Sequence, residues 1–389
     1  MIGFGQLTII PDPNFEQKLI DLGYDNVLDG SVNTASIDTV TNLWINSPFI
    51  FDLTGVEDFA ALTDLEIDNA QLTSLDLSQN TALESLVVSE TQLTSLDLSQ
   101  NFNLVILDCF ENSQLTSIDV SGATSLEYLN CYNNLLTSLD VSQNTALTEL
   151  YCGSNQLTSL DVSQNTALTE LLCKVNQLTS IDVTNNAFLE YLNCGSNNLT
   201  SLDVSQNTAL TELYCGSNQL TSLDVSQNTA LTDLWCSNNL LTSLDVSQNT
   251  ALTDLRCYNN LLECLDFSNN TALSIAFINN NLIDQLNTKN GNWQNLNIVA
   301  ENNNLTCVEV DNIGYASSNW ASSFDSFVTF NTDCNYTNAC NTTSTVQELT
   351  TNKELLKVTD LLGRETNNQN QPLIYFYNDG TVEKKMIIE

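Results

Sequence analysis

The segment LTSLDVSQNTALTELYCGSNQ occurs twice without a change, at residues 136–156 and 199–219, and edited copies fill most of the space around them. Aligned on the leucine after each Asn-x, the copies fall at Leu72, Leu93, Leu115, Leu136, Leu157, Leu178, Leu199, Leu220, Leu241, Leu262, Ile283 and Leu305. The spacing is 21 residues, with 22 at two places. A unit this short cannot enclose a core by itself, but stacked copies can bury a continuous one. The period therefore confines the middle of the chain to a solenoid.

One turn reads L-x-x-L-x-C-x-x-N-x-L-x-x-L-D-V-S-x-N-T-A. Its first eleven positions match L-x-x-L-x-L-x-x-N-x-L, with cysteine in place of the third leucine. The turn resembles the bacterial leucine-rich repeat class with a 21-residue period, and the resemblance extends from about Leu43 to Val310. It implies a curved rod with parallel strands on its concave face. The second half, SLDVSQNTA, is too short and too rich in Ser, Asn and Asp for a helix, so extended segments and turns are expected on the convex side. The expected fold is a β-rich solenoid of about thirteen turns, with a short N-terminal helical cap and a C-terminal β hairpin segment.

Two columns carry the packing argument. The cysteine column runs Ile67, Val88, Cys109, Cys131, Cys152, Cys173, Cys194, Cys215, Cys236, Cys257, Ile278, Ala300. Its ends are apolar, so the position calls for a small hydrophobe, and free cysteine behaves as one. Side chains in one column point the same way, which is poor geometry for bridging. The asparagine column, Asn134 to Asn303, sits at the turn leaving each strand, where its amide can serve backbone groups of neighbouring turns. Ala70, Thr91 and Ser113 align with it in the earlier turns.

A solenoid must cover both open ends of its core. Residues 1–42 read as the N-terminal cap. Asp12 is the expected helix N-cap, Pro13 suits the first helical position, and Phe15, Leu19 and Leu22 are placed to face the first turn. The start, MIGFGQLTIIPDPNF, is shorter than a signal peptide and reads as the remnant of one, with GFGQ near the cleavage point, or as an ordinary N-terminus. Asp25, Asp29 and Gly30 match three offsets of a calcium loop. Val27 and Ser36 occupy ligand positions, which favours a solvated turn. The array is assigned to 43–310 and a C-terminal cap to 311–340. Here Trp320, Phe324, Phe327 and Phe330 gather, and Cys307 and Cys334 are expected to be bridged. Cys264 reads as reduced and buried; the pairing of Cys264, Cys307, Cys334 and Cys340 is otherwise open. A polar linker (341–352) precedes residues 353–389, where LIYFY and KKMIIE around NDG read as a hairpin. KVTDLLGRE, PLIYFYNDGTVEKK and MIIE resemble the C-terminal sorting signal of the type IX secretion route of Bacteroidetes-type bacteria, without the upstream Pro-Asn-Pro motif of a full sorting domain. That resemblance implies recognition by an export machinery and a secreted or outer-cell-surface protein.

Composition narrows the function. There are 9 Lys+Arg against 47 Asp+Glu, a formal net charge of -38, and no histidine. Such a surface repels phosphate backbones, so nucleic acid is not an expected partner. Without histidine there is no Ser-His or Cys-His nucleophile pair and no imidazole metal ligand. No apolar run reaches the ~18 residues of a membrane-spanning helix. Carboxylates abound, but each belongs to a column and none marks a singular cleft. The reading is therefore no enzyme, no cofactor and no resident metal.

What remains is a binding protein. In TELYCGSN, Leu and Cys point inward and the residues between them outward. One outward column reads Glu66, Val87, Asp108, Asn130, Tyr151, Leu172, Asn193, Tyr214, Trp235, Arg256, Phe277; its neighbours hold Tyr191 and Asp233, and Tyr132, Lys174, Gly195, Gly216 and Tyr258. The convex half barely changes between copies, whereas these columns do. Tyr132, Tyr151, Tyr191, Tyr214, Trp235, Asp233, Arg256 and Tyr258 are the expected ligand contacts, since aromatic residues and arginine dominate binding hot spots. The expected ligand is a protein or a carbohydrate, with Gly195 and Gly216 leaving room for it. The alternative is a structural or cation-binding solenoid that uses the convex aspartates (Asp140, Asp161, Asp182, Asp203 and their equivalents) and the parallel threonine column from Thr137 to Thr242, which also resembles an ice-binding array.

Overall fold

A computed structural model describes residues 5–336, 340, 355–360, 373–377 and 382–385. The chain divides into two compact units, Met1–Cys340 and Asn341–Glu389.

The first unit is a solenoid built on one 13-stranded parallel sheet that runs from Asn42–Asn46 to Asn297–Val299. Each turn pairs with the next in register with the repeat: Glu149 lies opposite Glu170, Leu150 opposite Leu171, Tyr151 opposite Leu172. Across one turn, Leu147, Leu150, Cys152, Leu157, Leu160 and Val162 are all buried. The wall opposite the sheet is made of turns and short extended pieces. Ser95–Asp97 pairs there with Ser117–Asp119, and a four-stranded sheet runs from Cys264–Asp266 to Thr329–Asn331.

Cys109 through Cys257 are free thiols with no solvent exposure, in the column that also buries Ile67, Val88, Ile278 and Ala300. Burial pushes the thiols of Cys152, Cys194 and Cys257 up to about 12, so the charged form is absent at neutral pH. Beside them runs the asparagine ladder. Asn155 Nδ2 donates to Cys131 O, Cys152 O and Gly153 O at 2.9–3.2 Å, while its Oδ1 accepts from Leu136 N at 2.9 Å. One side chain thus pins two successive strand exits to each other.

The ladder begins earlier than the leucine spacing suggests. Asn112, not Ser113, holds the position: its Nδ2 donates to Val88 O and Cys109 O, and its Oδ1 accepts from Thr91 N and Thr91 Oγ1. The extra residue of that 22-residue turn therefore follows the asparagine. The residue before each position of this column, Ala70 and Thr91 included, lies in the left-handed region, at φ 52–58° from Asn69 to Asn302. Asn, Ser and Glu fill most of these sites; Val175, at φ 56°, is β-branched and strained there.

A second ladder occupies the opposite wall. Asn80, Asn101, Asn144, Asn165 and their equivalents to Asn270 have no solvent exposure. Asn165 Nδ2 donates to Val141 O (3.0 Å) and Asn144 O (2.8 Å), whereas its Oδ1 is buried with no protein partner.

At the front, helix α1 (Pro13–Asp21) closes the core with Phe15 and Leu19. Asp12 caps it, accepting from Asn14 N and Phe15 N, and its other oxygen accepts from Phe51 N and Asp52 N. Leu22 is the helix C-cap and is 42% exposed, lining an open groove beside Leu43 and Trp44 of the first strand rather than the buried core. The DNVLDG turn has a structural task. The amides of Asp29, Gly30 and Ser31 converge on Oε1 of the buried Glu16 at 2.7–3.1 Å.

At the back, Trp320 and Phe324 are buried and Phe330 packs edge-on to Phe324, whereas Phe327 is 63% exposed. Cys307 is bridged to Cys334. Cys264 is bridged to Cys340 rather than reduced, which ties residue 340 to the first strand of the four-stranded wall. In the second unit, Leu373–Tyr377 pairs antiparallel with Val382–Lys385 on either side of NDG, and Leu355–Asp360 adds a third strand. The NDG turn, the MIIE ending, the 341–352 linker and residues 1–4 lie outside the described residues. Among the described residues no helix is long and apolar enough to cross a membrane.

Candidate functional site on the sheet face

Between the inward leucine and cysteine of each strand, one residue points away from the core, and register stacks these residues into rungs. Asn193, Tyr214, Trp235, Arg256 and Phe277 follow one another on consecutive turns. The neighbouring column is Tyr191, Glu212, Asp233, Asp254. All but Asp254 are half-buried, and Asp254 is buried.

The side chains make a continuous ladder. Tyr191 meets Tyr214 edge-on at 5.4 Å between centroids, and Tyr214 meets Trp235 at 4.5 Å. The Arg256 guanidinium lies 4.0 Å from the centre of the Trp235 ring and 5.4 Å from that of Phe277. Asp254 holds it from the side, accepting from Nε (3.1 Å) and Nη2 (2.9 Å). An arginine sandwiched between rings and forked onto a carboxylate has lost most of its rotamer freedom before any ligand arrives.

Two turns toward the N-terminus from Tyr191, a second cluster forms. Tyr151 packs against Tyr128 at 5.6 Å, and its hydroxyl reaches both Glu149 Oε2 (2.8 Å) and Glu170 Oε2. Burial, and then acceptance by these two carboxylates, holds the Tyr151 hydroxyl well above its ordinary range. Tyr214 donates in the same manner to Glu212 at 2.5 Å. Asp233 is raised from its ordinary value, first by burial and then by the charges of Glu212 and Asp254, against the lowering effect of the Thr232 hydroxyl.

Of the eight residues read from sequence, Tyr191, Tyr214, Trp235, Asp233 and Arg256 are brought into one patch. Tyr151 belongs to the second cluster. Tyr132 stands apart, with Lys174 Nζ 5.7 Å from its ring; the two meet across Gly153, which has no side chain between them. Tyr258 is half-buried on the adjoining column. Gly195 and Gly216 do not open space. A Cβ on either would stand 3.1 Å from the carbonyl oxygen of the next turn, so they serve close stacking. Sequence reading passed over Asp254 and Phe277, although both stand in the columns it drew. It also missed Trp44, on the first strand of the same face, 55% exposed and covered by Lys18 Nζ at 5.4 Å.

The opposite wall differs in chemistry. Asp140 Oδ1 accepts from Ser142 N at 2.9 Å, and the same bond recurs from Asp76 to Asp266. For Asp76, Asp140 and Asp203, the amide and then the hydroxyl of the serine two residues on hold the carboxyl below its ordinary value.

Comparison with known proteins agrees with this architecture. A leucine-rich repeat family model of two copies matches residues 124–165. The functional domain of InlJ from Listeria monocytogenes, described as including a cysteine ladder, superposes with a TM-score of 0.63 at 26% identity, covering 99% of each chain. An internalin, InlF, from the same organism gives 0.65 at 21% identity over 85% of this chain and 97% of its own. A leucine-rich repeat protein of Leptospira interrogans gives 0.62 at 22% identity over 77% and 85%. No curated protein sequence matches the chain. The chain has a leucine-rich repeat fold, similar to that of the internalins.

Proposed function

We propose that this is an exported binding protein that recognises another protein through the sheet face, the concave side expected of such a rod. Tyr191, Tyr214, Trp235, Asp233 and Arg256 form the centre of contact, Tyr151 a second point, and Tyr132 and Tyr258 the flanks. One observation carries the reading: in a scaffold that otherwise repeats itself, large aromatic side chains and an arginine stack on one another over consecutive turns. These are the residue types that dominate interface hot spots. The competing reading, cation binding by the aspartate column, is disfavoured because those carboxylates already accept from their own turns. The two disulfides suit an oxidising compartment, and the segment 353–389 supplies the export route.

The test is a protein and glycan array probed with the full chain, followed by variants. Trp235→Ala should weaken binding to a protein hit about thirtyfold, equivalent to ~2 kcal/mol, with little change in melting. Binding confined to glycans would replace the protein reading. Binding untouched by Trp235→Ala and Tyr214→Ala, but lost when Asp203, Asp224 and Asp245 are neutralised, would move the site to the opposite wall. Export is tested separately by deleting residues 353–389, which should leave a folded array inside the outer membrane.

A further inference from the structure

The sheet face holds a cation of its own, and that cation shows what the rest of the ladder is built to receive. Among the described residues there are two ion pairs, Arg256–Asp254 and Lys289–Glu309. Only the first is on this face. Glu149, Glu170, Glu212 and Asp233 stand on the same column as Asp254 and have no basic partner among the described residues. They are also held close. Adjacent parallel strands are ~4.8 Å apart, so Glu149 faces Glu170, and Glu212 faces Asp233, at one rung's separation. One Tyr151 hydroxyl, with a single hydrogen, is shared between the first pair. Aromatic rings wall both pairs: Tyr128 and Tyr151 at the first, Tyr214 and Trp235 at the second.

Resting on the sheet-face reading above, we propose that the partner presents an extended segment with two arginine side chains, one seated at the Glu149–Glu170 pair and one at the Glu212–Asp233 pair. Each guanidinium would repeat, from outside, the arrangement that Arg256 makes from within: a planar cation over an aromatic ring, forked onto a carboxylate. The two pairs are three turns apart, about 14 Å. An extended chain rises ~3.3 Å per residue, so the arginines belong about four residues apart, on the same side of the segment. Charge complementarity selects this occupant over an acidic or neutral one, since the chain as a whole carries -38. Arginine fits better than lysine because its flat guanidinium can both stack and fork.

The probe is a synthetic fluorescent peptide, two arginines four residues apart in a threonine–tyrosine background, titrated into the full chain at physiological salt. Replacing both arginines with citrulline keeps the shape and removes the charge; binding should fall at least about tenfold. Glu170→Gln and Asp233→Asn should each weaken the arginine peptide by about tenfold, with unchanged circular dichroism and melting. The triple change Asp140→Asn, Asp161→Asn, Asp182→Asn removes more charge from the opposite wall and should leave binding as it was. Equal binding of the citrulline peptide, no binding of the arginine peptide, or an equal loss in the opposite-wall triple overturns the proposal. The wider reading fails by a different result. Array hits that depend on Trp235 but are indifferent to Glu170→Gln and Asp233→Asn remove the arginine segment and keep the sheet face. Hits indifferent to Trp235 and Tyr214 remove both.

Discussion

The sheet face and the opposite wall are laid down by the same 21 residues, yet they use their polar atoms in opposite ways. On the opposite wall each aspartate accepts from the serine or, at Asp182, the threonine two residues on, and each asparagine of the buried ladder donates to two carbonyls of earlier turns. Those columns hardly vary between copies, because a change would strand backbone groups in the neighbouring turn. On the sheet face strand pairing supplies the backbone bonds within each strand, so outward side chains such as Tyr214, Trp235 and Arg256 are released from structural duty, although Asp108, Asn130 and Asn193 still accept from the amide two residues on. There the columns vary, and carboxylates stand without cations beside stacked rings. Variation among copies of one repeat thus separates positions spent on the scaffold from positions left for a partner.

The comparison can be broken most sharply in the core that both faces share. Cys194→Asp should unfold several turns, at a cost above about 4 kcal/mol, because it buries an unpaired carboxylate. Cys194→Val should cost no more than about 1 kcal/mol, since Val88 already fills that column. Paired thermal melts decide it, and coincident curves would contradict the packing account.

Next come the two asparagine ladders. Asn155→Ala strands an amide and several carbonyls and should cost about 3 kcal/mol. Asn165→Ala strands two carbonyls but also removes an orphaned Oδ1, and should cost about 2 kcal/mol or less. The chain performs a version of this experiment itself: Ala123 replaces the asparagine of the second ladder, beside Gly122, where a Cβ would stand 2.0 Å from Ser99 O. Denaturant titration of the two variants ranks them, and the reverse order would show that the orphaned oxygen is not a liability.

A smaller effect probes the turn between the faces. Val175→Asn relieves a β-branched residue at φ 56° and should stabilise the protein by about 0.5–1 kcal/mol. A loss of stability would mean that the valine packs more than it strains.

The smallest effect concerns pH. Asp140 and Asp203 are held below their ordinary value of 3.8 in the folded protein. The stability they add is present above 3.8 and is lost as pH falls through their lower folded values. The melting difference between the native chain and the double variant Asp140→Ala, Asp203→Ala should therefore shrink on acidification below 3.8. A difference that stays constant across that range would mean that the hydrogen bonds, not the charges, do the holding.

Much of this was legible in the residues alone. The 21-residue period demands stacking, the apolar ends of the cysteine column define it as packing, and the amide of asparagine at a turn predicts a ladder. These are local or repeated constraints, so one dimension suffices to see them. Other features depended on where the chain returns in space. Cys264 bonds to Cys340, 76 residues away, a distance no spacing rule encodes. Glu16 draws the amides of residues 29–31, which turns an apparent calcium loop into part of the cap. Ser113 yields its place to Asn112 because hydrogen-bond geometry, not leucine counting, sets the register. On the sheet face, the sequence alone determined which columns vary and which residue types they hold. The tertiary structure decided that Arg256 is already sandwiched and forked onto Asp254 while four other carboxylates of that column have no cation among the described residues. That follows from side-chain reach across strands ~4.8 Å apart, a length that exists only once the turns are stacked.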